Sequence, residues 1–187
     1  MKTISIPSEV KWISSAQGGD PHAFRQLVDA HADQVRKTVT AMLGEGPEAE
    51  DTAQEVFIRL HKSLPNFKGD AQLATYLHRI AINLSINVLN KRKKRNNWRL
   101  SFNTQRENQI ARIPDHDNHA QRSDLQDLLE KALQSLDTEF RSVVVLRLVQ
   151  GYSSKETANI LSIPEGTVAS RLARAQKKLR QLMDKHL

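Results

Sequence analysis

Apolar residues recur every three or four positions along almost the whole chain, and nowhere do they alternate long enough to build a strand. A chain patterned in this way can bury its apolar surface only by packing helix on helix, so the expected fold class is all-α. Gly18-Gly19-Asp20-Pro21 marks a helix start, with Asp20 placed to cap and Pro21 in the first turn. Phe24, Leu27, Val28, Val35, Val39 and Leu43 follow at helical spacing until Gly44–Pro47 breaks the period. Ala49, Ala53, Val56, Phe57, Leu60 and Leu64 form the stripe of a second helix, and Pro65–Asp70 reads as a turn. A third helix carries Leu73, Leu77, Ile80, Ala81, Leu84 and Val88 into a basic cluster. Residues 11–97 therefore read as one helical domain.

From Trp98 to Arg122 the period fails, and Ser, Asn, Asp, Gln, His and Pro114 dominate. Residues 98–122 read as a flexible linker, with a loop packed on one of the domains as the alternative. Periodicity resumes at Leu125, Leu128, Leu129, Ala132, Leu133 and Leu136 and continues through Val143–Val149 to Gly151, within a second domain at 123–187. There, Ser153–Leu161, a turn at Ser162–Gly166 and a helix from Thr167 have the form of a helix-turn-helix, at about 154–173. Ala158 is small where two helices cross, and Thr167 is placed to cap the second one. On the wheel of that helix Val168, Leu172, Ala175, Leu179 and Leu182 share one face. Ser170, Ala173, Arg174, Lys177 and Gln181 share the opposite one, with Ala169 at its edge. Small and basic residues on an exposed face suit entry into a major groove, where Arg pairs with guanine and Ser reaches a base edge or phosphate.

The charge supports a polyanionic partner. The chain has 28 Lys+Arg against 21 Asp+Glu, a formal charge of +7. Lys91–Arg99 holds six basic residues and no acidic one, and Gly166–Leu187 holds six against Asp184 alone. The remainder carries 16 basic and 20 acidic residues, so the whole excess lies in two segments. There is no cysteine, which excludes disulfides, thiol catalysis and thiolate zinc sites and fits a reducing cytosol. Met1–Val10 does not have the form of a signal peptide, and no apolar run approaches the roughly 18 residues of a membrane span. A soluble, cytoplasmic protein without direct membrane insertion is expected. His116 and His119, flanked by Asp115 and Asp117, have no further ligand cluster beside them and read as a solvated loop. No phosphate loop or nucleophile constellation emerges, so neither a catalytic site nor a cofactor is expected.

Gly151-Tyr-Ser-Ser-Lys-Glu-Thr-Ala158, followed by Ile163-Pro-Glu-Gly-Thr-Val-Ala-Ser-Arg-Leu-Ala-Arg-Ala175, resembles the fourth region of the extracytoplasmic-function sigma factors of bacterial RNA polymerase. The N-terminal half is similar to that family's second region through Gly19-Asp20, Ala23-Phe24, Ala49-Glu-Asp51, Gln54-Glu-Val-Phe57, Phe67-Lys-Gly69 and Arg79-Ile-Ala-Ile-Asn83. The chain departs from the family at Tyr76, where Trp is usual, and at Leu73, where Phe is. It also departs at Thr157, where Ile is common, and at Ala169 and Ala173, where larger side chains often reach DNA. The promoter sequence is therefore not carried over.

The resemblance implies docking of the helix near Asp51 on the clamp helices of the polymerase's largest subunit, through Asp51, Gln54, Glu55 and Ile58. A second contact with the flap region is implied as well. It implies capture of the melted minus-ten element by the stripe Arg79, Asn83, Asn87, Lys91, Arg92 and Lys94. Asn83 begins a pocket for an extruded base, and the basic cluster holds phosphates. It implies minus-thirty-five binding through Thr167, Ser170, Arg171, Arg174 and Lys177. An anti-sigma factor is implied as a further partner, and a stress- or envelope-responsive regulon as the output. The alternative is an autonomous helix-turn-helix regulator whose N-terminal domain senses or dimerises.

Overall fold

A computed structural model describes residues 7–102 and 124–184. Every regular element among them is helical. The first unit comprises α1 (Pro7–Gln17), α2 (Pro21–Leu43), α3 (Pro47–Ser63), a 3-10 turn (Leu64–Asn66) and α4 (Leu73–Phe102). The second comprises α5 (Asp124–Gln134), α6 (Thr138–Val144) running into a π-helical segment (Val145–Val149), α7 (Ser154–Leu161) and α8 (Glu165–Met183).

Local chemistry sets the boundaries. Asp20 caps α2, its Oδ1 accepting from the His22 N–H at 2.9 Å. The helix stops at Gly44, whose φ of 81° lies in the left-handed region and whose N–H donates to Thr40 O at 2.8 Å. A Cβ there would also sit 3.4 Å from the Glu130 carboxylate of α5, so glycine serves both the turn and a close approach. α2 is the hub of the first unit, packing against α1, α3 and α4 around Leu27, Val35, Val39, Val56, Leu60, Leu77 and Ile82. The Lys11 boundary expected from periodicity falls inside α1. Trp12, Ile13 and Ala16 of that helix pack on the core, and Gln17 Nε2 donates to the carbonyls of Leu64 (3.0 Å) and Phe67 (2.8 Å).

α4 is helical to Phe102, over the first residues of the expected 98–122 linker. Residues 103–123 lie outside the described ones, and with them His116, His119 and most of that stretch.

In the second unit, α7 opens with a capping box. Ser153 Oγ accepts from the Glu156 N–H at 3.2 Å, and Glu156 Oε2 accepts from the Ser153 N–H at 2.7 Å. The bond to Ser153 holds the Glu156 carboxyl below its usual range. α8 starts at Glu165, two residues before the expected position, and Thr167 is not its cap. Pro164 takes the cap position with φ −62° and ψ 148°, and its carbonyl accepts from the N–H groups of Thr167 and Val168. Val143, Ala158 and Val168 pack where α6, α7 and α8 meet, so Ala158 is small at a helix crossing.

The two units are in direct contact. Val145, Leu146 and Ile160 of the second belong to the same apolar cluster as the core of the first.

Candidate nucleic-acid interface

α8 divides cleanly. Val168 and Ala175 are fully buried and Leu172, Leu179 and Leu182 partly so, while Ala169, Ser170, Ala173, Arg174, Lys177 and Gln181 are exposed. Two further basic residues of α8 pair with α6 and the residue before it. Arg171 donates to Glu139 at 2.7 Å and is half-buried. Lys178 bonds Asp137 at 2.6 Å, holds its carboxyl below the ordinary range and lies 5.1 Å from the Phe140 ring centre. Thr167 is half-buried, so Ser170, Arg174 and Lys177 are the expected groove residues that face outward.

On α4, Arg79, Asn83, Asn87, Lys91 and Lys94 are all exposed. Arg92 is turned inward. Its Nε donates to Glu48 Oε2 at 2.6 Å and its Nη1 to Leu43 O at 3.1 Å, so it closes the C-terminal end of α2. Arg79 Nη2 donates to Asn159 O of α7 at 3.2 Å. A shallow cleft of about 360 Å3 runs between α3 and α4, lined by Arg59, Asn87, Asn90, Lys91 and Lys94. On α3, Asp51, Gln54 and Ile58 are exposed, Ile58 at 47%. Glu55 is half-buried and accepts from Arg59 Nε at 3.0 Å. The four expected docking residues thus share one accessible face.

Three polar residues of consequence carry no periodic signal and escape sequence reading. Arg141 is 5% exposed and donates to carbonyls of both units. His78 is buried beside Asn83's stripe, its Nδ1 2.6 Å from the Tyr152 hydroxyl. Burial pushes its pKa down to about 4, with His31 adding to the effect. Tyr152, also desolvated, is pushed up. The Ser153–Glu156 box, by contrast, is legible as Ser-x-x-Glu before an apolar run.

Known proteins match both units in order. Sigma-70 region 2 matches residues 27–95, and Sigma-70 region 4 matches residues 126–179. The class is that of the sigma-70-type transcription initiation factors, which are not enzymes. The chain is 32% identical over 182 residues to the ECF RNA polymerase sigma factor SigW of Bacillus subtilis, covering 93% of this chain and 96% of that one. It is 30% identical over 172 residues to the ECF RNA polymerase sigma-E factor of Escherichia coli, covering 89% and 90%. Its fold is similar to that of CnrH, solved in complex with the cytosolic domain of CnrY (24% identity, 95% and 98% covered, TM-score 0.69). It is also similar to that of the sigma factor RpoE, solved in complex with the anti-sigma factor NepR from Bartonella quintana (24% identity, 86% and 96% covered, TM-score 0.65). The chain belongs to the extracytoplasmic-function (ECF) family of RNA polymerase sigma factors. Among the described residues no helix is long and apolar enough to cross a membrane, and no group of His, Asp and Glu is placed to hold a metal.

Proposed function

We propose that this protein binds core RNA polymerase in the cytoplasm and directs it to two-part promoters, without enzymatic chemistry of its own. The observation that carries this reading is the division of α8. A buried apolar stripe fixes the helix, and Ser170, Arg174 and Lys177 stand out on the opposite face. An Arg flanked by Ala169 and Ala173 has short neighbours, so the helix backbone can lie close to the groove floor and the guanidinium can reach a guanine edge. Lys177, further along, meets phosphate and positions without specifying.

The first unit supplies the other two functions. Asp51, Gln54, Glu55 and Ile58 dock on the clamp helices of the largest subunit, Ile58 as the apolar anchor in a charged surround. Arg79, Asn83 and Asn87 meet the melted minus-ten strand, where the Asn83 amide offers a donor and an acceptor to an extruded base. Lys91 and Lys94 neutralise phosphates. Arg92, spent on Glu48 and Leu43, supports the helix rather than the DNA. Arg171, held by Glu139, has the same supporting part in the second unit, and Thr167 contributes at the groove margin. Residues 11–97 and 123–187 act as the two functional domains with 98–122 as the tether, and the second domain meets the polymerase flap. An anti-sigma factor of the kind seen with RpoE holds the protein inactive, and its release turns on a stress- or envelope-responsive regulon.

The test is equilibrium binding of promoter duplex to the chain alone and to the chain with core polymerase. Specific retention that requires core polymerase is expected. Tight, specific binding by the chain alone would favour an autonomous regulator instead.

A further inference from the structure

We propose that the cleft between α3 and α4 is a phosphodiester site on the path of the promoter strand, in which Arg59 and Asn90 join Asn87, Lys91 and Lys94 around one backbone phosphate. The inference rests on the promoter reading above and gives a DNA contact to α3, an element which that reading uses only for the polymerase.

The cleft follows from the spacing of side chains. On α4, Leu84, Asn87, Val88 and Lys91 recur three and four residues apart and share the face turned to α3, and Asn90 and Lys94 extend it by the same intervals. Arg59 faces them from α3. The lining of this volume of about 360 Å3 is thus three cations, two amides and two apolar side chains, with no carboxylate among the described residues. Leu84, buried, and Val88, half-buried, make the floor; the polar residues are exposed.

Such a lining selects an anion with an apolar side. Three positive charges that converge without a counter-charge attract a polyanion. Amide N–H groups add bonds to phosphate oxygens, and Leu84 and Val88 suit the carbon face of a sugar. A small-molecule site buries most of its ligand, which this shallow cleft does not do. A strand passing across it lays in only one phosphate and its sugar. The position also favours DNA over an acidic peptide. Asn87, Lys91 and Lys94 continue the stripe that begins at Arg79 and Asn83. Lys91 lies about 12 Å along the helix from Asn83, or about three to four nucleotides at about 3.4 Å each.

The polar groups are ready for a ligand. Among the described residues Asn87, Asn90, Lys91 and Lys94 make no side-chain hydrogen bond or ion pair, whereas Arg92 beside them is engaged by Glu48 and Leu43. Arg59 is held through one nitrogen. Its Nε donates to Glu55 Oε1 at 3.0 Å, with both side chains about half-exposed. Its two Nη groups, without a partner among the described residues, are left to bind a phosphate in the two-pronged manner of a guanidinium. Glu55 fixes that guanidinium from the polymerase-docking side, so the docking face and the DNA face adjoin on α3.

The test uses holoenzyme assembled from core polymerase and the full-length chain, with core affinity measured separately for every variant. Arg59 and Asn90 are exposed, so helicity should stay parental. Arg59→Ala should bind core within about twofold of the parent, since an exposed ion pair contributes little. It should weaken promoter binding about tenfold and lower the salt slope by about one. Arg59→Lys should restore the slope, and Asn90→Ala should weaken binding about threefold with the slope unchanged. Promoters carrying a single neutral methylphosphonate then locate the phosphate. The parent should lose affinity at one position about three to four nucleotides from the base held by Asn83, and Arg59→Ala should be indifferent there. A parental slope or an unaltered methylphosphonate pattern in Arg59→Ala overturns the proposal. So does a loss of core affinity that accounts for all of the weaker promoter binding. Polyglutamate binding that Arg59→Ala abolishes while promoter binding stays intact overturns it in favour of a peptide site. Non-specific duplex binding by the free chain separates the two readings. A slope lowered there by Arg59→Ala, with no promoter-specific binding by parental holoenzyme, upholds the phosphodiester site and refutes the sigma function.

Discussion

Arg174 and Lys177 stand one turn apart on the same exposed face of α8, yet their expected contributions differ in kind. Losing a bidentate Arg–guanine contact should cost about 1–3 kcal/mol and relax specificity at one base pair. Losing a phosphate contact should weaken all sequences alike and lower the salt slope by about one. Transcription from a library randomised in the upstream element, with Arg174→Ala and Lys177→Ala at two salt concentrations, separates them. An even loss across the library for Arg174→Ala would reduce it to a phosphate clamp. Asn83→Ala should impair open-complex formation more than core binding, and a pre-melted promoter should reveal the lost base preference; equal transcription across all downstream elements would remove the role. His78 gives a pH dependence. Its ring stays neutral in the fold down to about pH 4, whereas the unfolded chain takes up the proton near the ordinary value of 6.5. Above pH 6.5 the two states match. As the pH falls from 6.5 to 4 the unfolded state gains protons first, and stability drops by about 3 kcal/mol. Melting temperatures at pH 7 and 4.5 should fall further apart for the parent than for His78→Gln; equal spacing would acquit the histidine.

Among the elements, α3 carries the prediction for polymerase binding. Ile58→Asp or charge reversal at Asp51 should raise the dissociation constant for core polymerase at least tenfold, about 1.4 kcal/mol, with helicity and melting nearly unchanged. Parental affinity in both variants would mean that the docking face lies elsewhere. α8 was readable from sequence because it is a surface helix with one neighbouring side, and such helices keep a simple apolar stripe. α4 was only half readable. Its stripe from Leu73 to Val88 is buried or partly buried as expected, but Ile82, His78 and Ser85 are buried too, because α2, α3 and α7 all pack against it. The run from Arg141 to Leu146 is buried on every side for the same reason. A helix covered all round has no polar face to set its phase, so periodicity shows that the helix exists and hides what it touches. α1 escaped because it is short and mostly polar, and its hold on the core depends on Trp12, Ile13 and Gln17 meeting residues distant in sequence. α8 starts two residues before Thr167 because the fixed φ of Pro164 sets the turn, although threonine is the commoner cap.

At the scale of the whole molecule, the two units share an apolar contact, with Val145, Leu146 and Ile160 of the second packed into the core cluster of the first. Lys91 and Lys94 stand exposed on α4 and Arg174 and Lys177 on α8, so each unit presents a cationic surface of its own. Run-off transcription with core polymerase on a promoter library, with start sites mapped, decides whether the chain has sigma activity. Transcripts are expected only when chain and core are both present, starting at a fixed distance from a two-part sequence whose upstream half changes with Arg174→Ala. Transcripts from core that the chain leaves unchanged in number and position would contradict it.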